Sequence, residues 1–143
     1  MDYDSVSAPD FGASLRGLGI NLLVRDVAAQ AAFLRVVFRM TVHQPTRDFA
    51  ILRYGEQVFQ IHSDGTYHSH PLLGLVPETP PRGGGVELRL YDSDPDAACI
   101  RAQAAGGTIL HAAADKPHGL REAYILCRDG YAWVPSCPLT GSD

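Results

Sequence analysis

The stretch "GINLLVRDVAAQAAFLRV", beginning at Gly19, returns later in the chain as "GVELRLYDSDPDAACIRA", beginning at Gly85. Laid side by side without a gap, the copies share Gly19 with Gly85, Leu22 with Leu88, Asp26 with Asp92, Ala31 with Ala97, Ala32 with Ala98 and Arg35 with Arg101, always 66 positions apart. A repeat at a fixed offset constrains the fold more than any single motif, because whatever one copy builds the other must build as well. A chain of 143 residues has the length of one ordinary domain, long enough to bury a core without staples. Each copy therefore has room for one supersecondary unit.

In both copies the apolar residues alternate: Ile20, Leu22 and Val24 in one, Val86, Leu88 and Leu90 in the other. Alternation is the period of a strand with one buried face. Asp26 and Asp92 follow, each suited to accept the free N–H groups that open a helix, with Asp94 a second choice in the later copy. The first helix is predicted over about 27–40 with Ala31, Phe33, Leu34, Val37 and Phe38 on an apolar stripe, the second over about 95–105, opened by Pro95 and stopped by Gly106 and Gly107. Three strands follow the first helix, near 41–45, 48–54 and 56–62, with "YGEQ" as the tight turn. Three follow the second, in "GTILHAAA", "LREAYILC" and "YAWVPS". The prediction is an α+β chain of two βαβββ repeats, 15–62 and 85–137. Between them lies the Gly- and Pro-rich linker 63–84, a crossover or a lid.

At 45% apolar and 20% charged residues, with a formal net charge of −4, the composition is that of an ordinary folded protein, and no basic run points to nucleic acid. Cys99, Cys127 and Cys137 are odd in number and lack CxxC spacing, which indicates neither a disulfide framework nor a zinc knuckle and fits a reducing, cytoplasmic setting. No apolar stretch has membrane-spanning length, and the opening residues do not read as a signal peptide. Residues 1–14 read as a flexible arm and 138–143 as a tail.

The repeated unit, with "LLVRDV" opening one half and "RDGYAW" closing the other, resembles the vicinal oxygen chelate superfamily, which includes glyoxalase I, extradiol dioxygenases and bleomycin-resistance proteins. The resemblance covers about residues 15–137. It implies one domain whose repeats form a curved, cleft-enclosing mixed sheet with helices outside, a homodimer, and a divalent metal held in the enzymes by four strand positions. Transferred to this sequence, those positions fall on Gly19, Gln60, Gly85 and Val134. Two glycines and a valine have no donor and Gln is a weak neutral ligand, so the resemblance comes without its metal site, and no cofactor is expected.

By alternation the cleft-facing residues are Asn21, Leu23, Val58, Gln60, His62, Glu87, Arg89, Ala132 and Val134. Asn21, Gln60, His62, Glu87 and Arg89 are the candidate ligand-binding groups. Glu87 and His62 are candidate catalytic groups if burial raises the Glu87 pKa, against the simpler reading in which Glu87 pairs with Arg89. "HSH", with His68 and His70, could hold an ion together with His62 or could be a solvated loop. Tyr131 and Trp133 point away from the cleft if Val134 points into it, so they are expected in the core, while Tyr124 could serve either side. "GGG" at 83–85 lacks phosphate-loop spacing and is expected to be merely flexible. The leading expectation is a metal-free member that binds a small molecule, as in drug sequestration. The alternative is an isomerase, lyase or dioxygenase with non-family metal ligands or with Glu87 as base.

Overall fold

Asp26 and Asp94 begin the two main helices by the same device: each aspartate Oδ1 accepts the backbone N–H three residues on, from Ala29 at 3.0 Å and Ala97 at 3.1 Å. The computed structural model describes residues 1–65 and 71–140. In chain order the elements are α1 (Ala8–Ser14), β1 (Asn21–Val24), α2 (Val27–Phe38), β2 (Thr41–His43), β3 (Phe49–Tyr54), β4 (Gln57–Ser63), β5 (Glu87–Leu90), α3 (Pro95–Ala104), β6 (Thr108–Asp115), β7 (Leu120–Leu126) and β8 (Ala132–Pro138). Both copies are thus βαβββ, as the repeat requires. Asp92 departs from the copy-to-copy alignment: it adopts φ 57° and passes the capping role to Asp94, whose Pro95 loses nothing by lacking an N–H.

Two open four-stranded mixed sheets result, with orders β1-β4-β3-β2 and β5-β8-β7-β6. In each, the first strand runs parallel to the last of its copy, and the remaining pairs are antiparallel. The chain divides into two compact units, one of residues 1–35 and 39–76, the other of 36–38 and 77–143. In the first unit the core contains Leu22, Val24, Ala31, Leu34, Ala50, Leu52 and Ile61. The predicted helix stripe is buried along its whole length, from Ala31 to Phe38. In the second unit Leu88, Leu90, Ala98, Ala102, Ile125 and Trp133 are buried, and the Phe38 ring lies 5.8 Å from that of Trp133. Trp133 is a core residue, as alternation predicts. Cys127 is buried, and Cys99 and Cys137 are half-buried free thiols.

Two expectations change. Residues 1–14 are not a loose arm in the structure: Ala8–Ser14 is a helix capped by the Ser7 hydroxyl, and Phe11 is buried at 5% exposure. Gly83, the first residue of the "GGG" run, has a packing reason. Arg82 and Gly83 donate to the carbonyls of Asp129 and Gly130. A Cβ on Gly130 would stand 2.4 Å from the Pro81 Cα, and one on Gly83 would stand 2.8 Å from the Tyr131 ring. Only glycines permit the two segments to approach this closely. His68 and His70 lie outside the described residues. No described helix is long and apolar enough to cross a membrane.

Candidate functional site

The strand period sets which side chains share a face, and the register carries that choice across the first sheet. Gln60 of β4 is level with Asn21 of β1 and Ile51 of β3, and His62 is level with Leu23 and Phe49. This is the face that alternation assigns to ligand. Helix α1 lies over part of it. Phe11 packs edge-on to Phe49 at 6.4 Å, and Phe49 lies 4.9 Å from the His62 ring. A cavity of about 360 Å³ remains, lined among others by Phe11, Gln44, Phe49, Ile51, Gln60 and His62. Its size and mainly apolar lining with a few polar groups are those of a small-molecule pocket.

Inside it, His62 is 4% exposed and its Nε2 lies 3.2 Å from Gln60 Oε1. In the tautomer that this contact requires, His62 donates and the Gln60 carbonyl accepts. The Gln60 amide nitrogen takes part in none of the described hydrogen bonds and remains a donor for a ligand. Asn21 is exposed at the outer strand and does not line the cavity, so of the first-sheet candidates the structure brings Gln60 and His62 together.

The second sheet's corresponding face is charged. Arg89 on β5 donates from Nη1 to Glu87 at 3.1 Å and from Nη2 to Glu122 on β7. His118 Nε2 approaches the same Glu122 oxygen at 3.1 Å. Glu122 is 1% exposed. Burial alone would raise its pKa, but the hydrogen bonds from His118 and Arg89 outweigh that and hold the carboxyl below its ordinary value. Burial likewise opposes the charge on Arg89, yet its bonds to Glu122 and Glu87 raise its pKa further. The Tyr124 hydroxyl is pushed up by Glu87 and by burial. Glu87 itself keeps 43% of its side chain exposed and is the partner of Arg89, the simpler of its two predicted roles.

Glu122 was not among the sequence candidates, although "LREAYIL" carries the signal. Alternation puts Glu122 and Tyr124 together on one face of a strand that pairs on both sides, a costly place for a carboxylate without a cation. Phe11 had no such signal.

The family's metal positions do not fit an ion. The register pairs Val134 with Arg89 and His62 with Leu23, and Leu23 and Arg89 are 66 positions apart, so His62 rather than Gln60 is the counterpart of Val134. Even so, the set becomes Gly19, His62, Gly85 and Val134, with one imidazole. Gly85 has φ +83° and precedes the strand, a conformation in which a ligating side chain would be strained. Among the described residues, no group of three or more His, Cys, Asp or Glu side chains is arranged to hold a metal.

No protein-family model matches the chain, and no curated protein does. Solved structures do. A glyoxalase/bleomycin resistance protein/dioxygenase family enzyme from Burkholderia phytofirmans superposes with a TM-score of 0.70 at 20% identity, over 84% of this chain and 96% of its own. TioX from Micromonospora matches at 0.63 and 23% identity, over 87% and 100%. Lactoylglutathione lyase from Agrobacterium tumefaciens matches at 0.60 and 20% identity, over 85% and 92%. Together with the duplicated βαβββ topology, these matches give the chain the fold of the vicinal oxygen chelate superfamily, that of the glyoxalase/bleomycin resistance/dioxygenase proteins.

Proposed function

We propose that the protein captures a small molecule without a metal, as a drug-sequestering member of this fold would. The observation that carries the reading is the cavity on the first sheet, where apolar rings and an amide–imidazole pair stand in a lining without Asp, Glu, Lys or Arg. Such a lining supplies binding energy by burying apolar surface and sets orientation through one or two hydrogen bonds. The family's metal positions contribute a single donor group here, which supports binding over Lewis-acid chemistry. The homodimer implied by the fold resemblance belongs to the same proposal, and sedimentation velocity reads it directly.

The test joins two measurements. Metal content is determined on untagged protein purified without chelator and again after addition of zinc, nickel, manganese or iron, with less than a tenth of an equivalent expected. Thermal unfolding is then followed across a panel of neutral and charged ring compounds. A captured ligand at 100 times its Kd stabilises by about 2.7 kcal/mol, which is read as a rise in Tm. Tight stoichiometric metal, or no stabilising compound in the panel, defeats the reading.

The alternative, an isomerase, lyase or dioxygenase, has weaker support. Glu87 is partly exposed and bound to Arg89, and the buried carboxylate beside it, Glu122, is held below its ordinary pKa, the wrong direction for a base at neutral pH. If turnover of any compound is found, its survival in Glu87→Gln would remove the proposed base.

A further inference from the structure

The cavity exists because the N-terminal segment covers the sheet, and that segment is fastened at few points. Asp4 Oδ1 lies 2.8 Å from His43 Nδ1 at the end of β2. The next residue, Gln44, donates its amide nitrogen to the carbonyls of Tyr3 at 2.7 Å and Val6 at 2.9 Å. Gln44 holds φ 47°, a left-handed conformation uncommon for a non-glycine residue, and from it the side chain grips the backbone leading into α1. Tyr3, Phe11, Phe49 and His62 form a chain of ring contacts at 6.1, 6.4 and 4.9 Å from the segment to the cavity floor. Beyond α1 the chain runs through Leu15–Gly19, with Gly17 at φ 72° and Leu18 at 96% exposure. This stretch borders a second depression, of about 630 Å³, which shares Leu15 and Gln60 with the cavity.

The lining also restricts what can enter. Its polar side chains are Gln44, Gln60 and His62. Gln44 Nε2 is engaged with the segment above, and Gln60 Oε1 is engaged with His62. The Gln60 amide N–H groups therefore call for an acceptor. An anion or a cation would lose its hydration there with no Asp, Glu, Lys or Arg in the lining to replace it. The rings of Phe49 and His62 on the sheet and of Phe11 on the helix above it suit a flat, unsaturated ligand.

Building on the capture reading, we infer that this cavity binds a neutral, planar ring compound through a carbonyl oxygen that accepts from Gln60, beneath an N-terminal segment that acts as a hinged cover. The cover turns on Leu15–Gly19 and is latched by Asp4–His43 and by Gln44. Phe11 is both part of the cover and one wall of the site, so ligand release requires the latch to open.

Three tricyclic probes of similar size test the ligand class by calorimetry on the full chain: xanthone, xanthene, which has a methylene in place of the carbonyl, and xanthone-2-carboxylate, which adds a charge. Xanthone should bind at least tenfold tighter than either of the others. Gln60→Met, which keeps the volume and removes the donor, should weaken xanthone about tenfold, the value of one hydrogen bond, and leave xanthene unchanged. Phe11→Ala should weaken both. Stopped-flow mixing tests the cover: Asp4→Asn and Gln44→Met, which each remove a latch contact, should speed xanthone association and dissociation together several-fold. Equal binding of xanthone and xanthene, preference for the carboxylate, or no binding of any probe overturns the ligand class. In each case the capture reading is judged separately by the wider panel. Binding that Gln60→Met and Phe11→Ala do not change overturns the site, and unchanged rates in both latch variants overturn the cover.

Discussion

The two sheets have one topology and opposite chemistry. Position by position, Asn21 corresponds to Glu87, Leu23 to Arg89, Gln60 to Ala132, His62 to Val134, and Phe49 to Tyr124. The cavity-lining part of the first face, the neutral face, carries no Asp, Glu, Lys or Arg, has its amide–imidazole pair on β4 and is covered by α1, while farther along the same sheet Arg53 on β3 donates to His43 on β2. The second presents Ala132, Val134 and Ser136 on β8 and is charged on β5 and β7, where Arg89 joins Glu87 and Glu122. Duplication of a βαβββ unit fixes where side chains point, because register and period 2 are properties of the backbone. It does not fix what they are. One copy of the frame has a cavity on this face, and the other fills the equivalent face with an ion-pair network.

If that contrast is right, the largest loss of stability follows from removing the cover of the neutral face. Phe11→Ala empties a buried aromatic site and should cost about 3 kcal/mol, at the low end for a phenylalanine because α1 is a short surface helix. Chemical denaturation measures it. A cost below about 1 kcal/mol would mean that Phe11 is not a structural wall.

The charged face should yield somewhat less. Glu122→Leu leaves Arg89 without its buried partner and should cost about 2 kcal/mol, discounted from the usual value for a broken buried pair because Arg89 retains 23% side-chain exposure and can reach water. The double variant Glu122→Leu with Arg89→Met should recover at least half of that loss, since no charge is then stranded. Additive losses would show that the pair does not act as a unit.

A smaller effect separates the repeat read from sequence from the repeat as folded. Asp26→Ala and Asp94→Ala should each cost about 1 kcal/mol, as caps do, whereas Asp92→Ala should lack that capping loss. Asp92→Gly should stabilise slightly, because φ 57° suits glycine. Equal losses at Asp92 and Asp94 would return the capping role to the aligned aspartate.

Much of this was legible before any coordinates. The offset of Gly19 and Gly85 gave the duplication, the stripe from Ala31 to Phe38 is buried as its spacing requires, and alternation placed Gln60 and His62 on one face and Trp133 on the other. What alternation lacks is any knowledge of what covers a face. Phe11 sits alone among polar and small residues in a helix of two turns, too short for a 3.6-residue period to show. Glu122 could be assigned to its face but not to burial, because burial depends on Arg89 and His118, 33 and 4 residues away. Gly83 read as slack because its close approach to Tyr131 leaves no mark on local sequence.

The gentlest probe of the contrast is pH. Glu122 in the folded protein is held below the ordinary carboxyl value of 4.5 by His118 and Arg89. The unfolded chain therefore takes up its proton first as pH falls, and the stabilisation is present in full above the ordinary value and is lost as pH drops through the lower, folded one. Glu122→Gln keeps the shape and removes this titration. The variant should be less stable than the parent at neutral pH by an amount smaller than Glu122→Leu costs, because the amide carbonyl can still accept from Arg89. The difference between the two proteins should shrink as pH falls below about 4.5, which urea midpoints at successive pH values would follow. Gln60→Met on the neutral face introduces no such slope. A difference between parent and Glu122→Gln that stays constant down to acid pH would show that Glu122 carries no shifted charge. The two faces would then differ in hydrogen bonding alone.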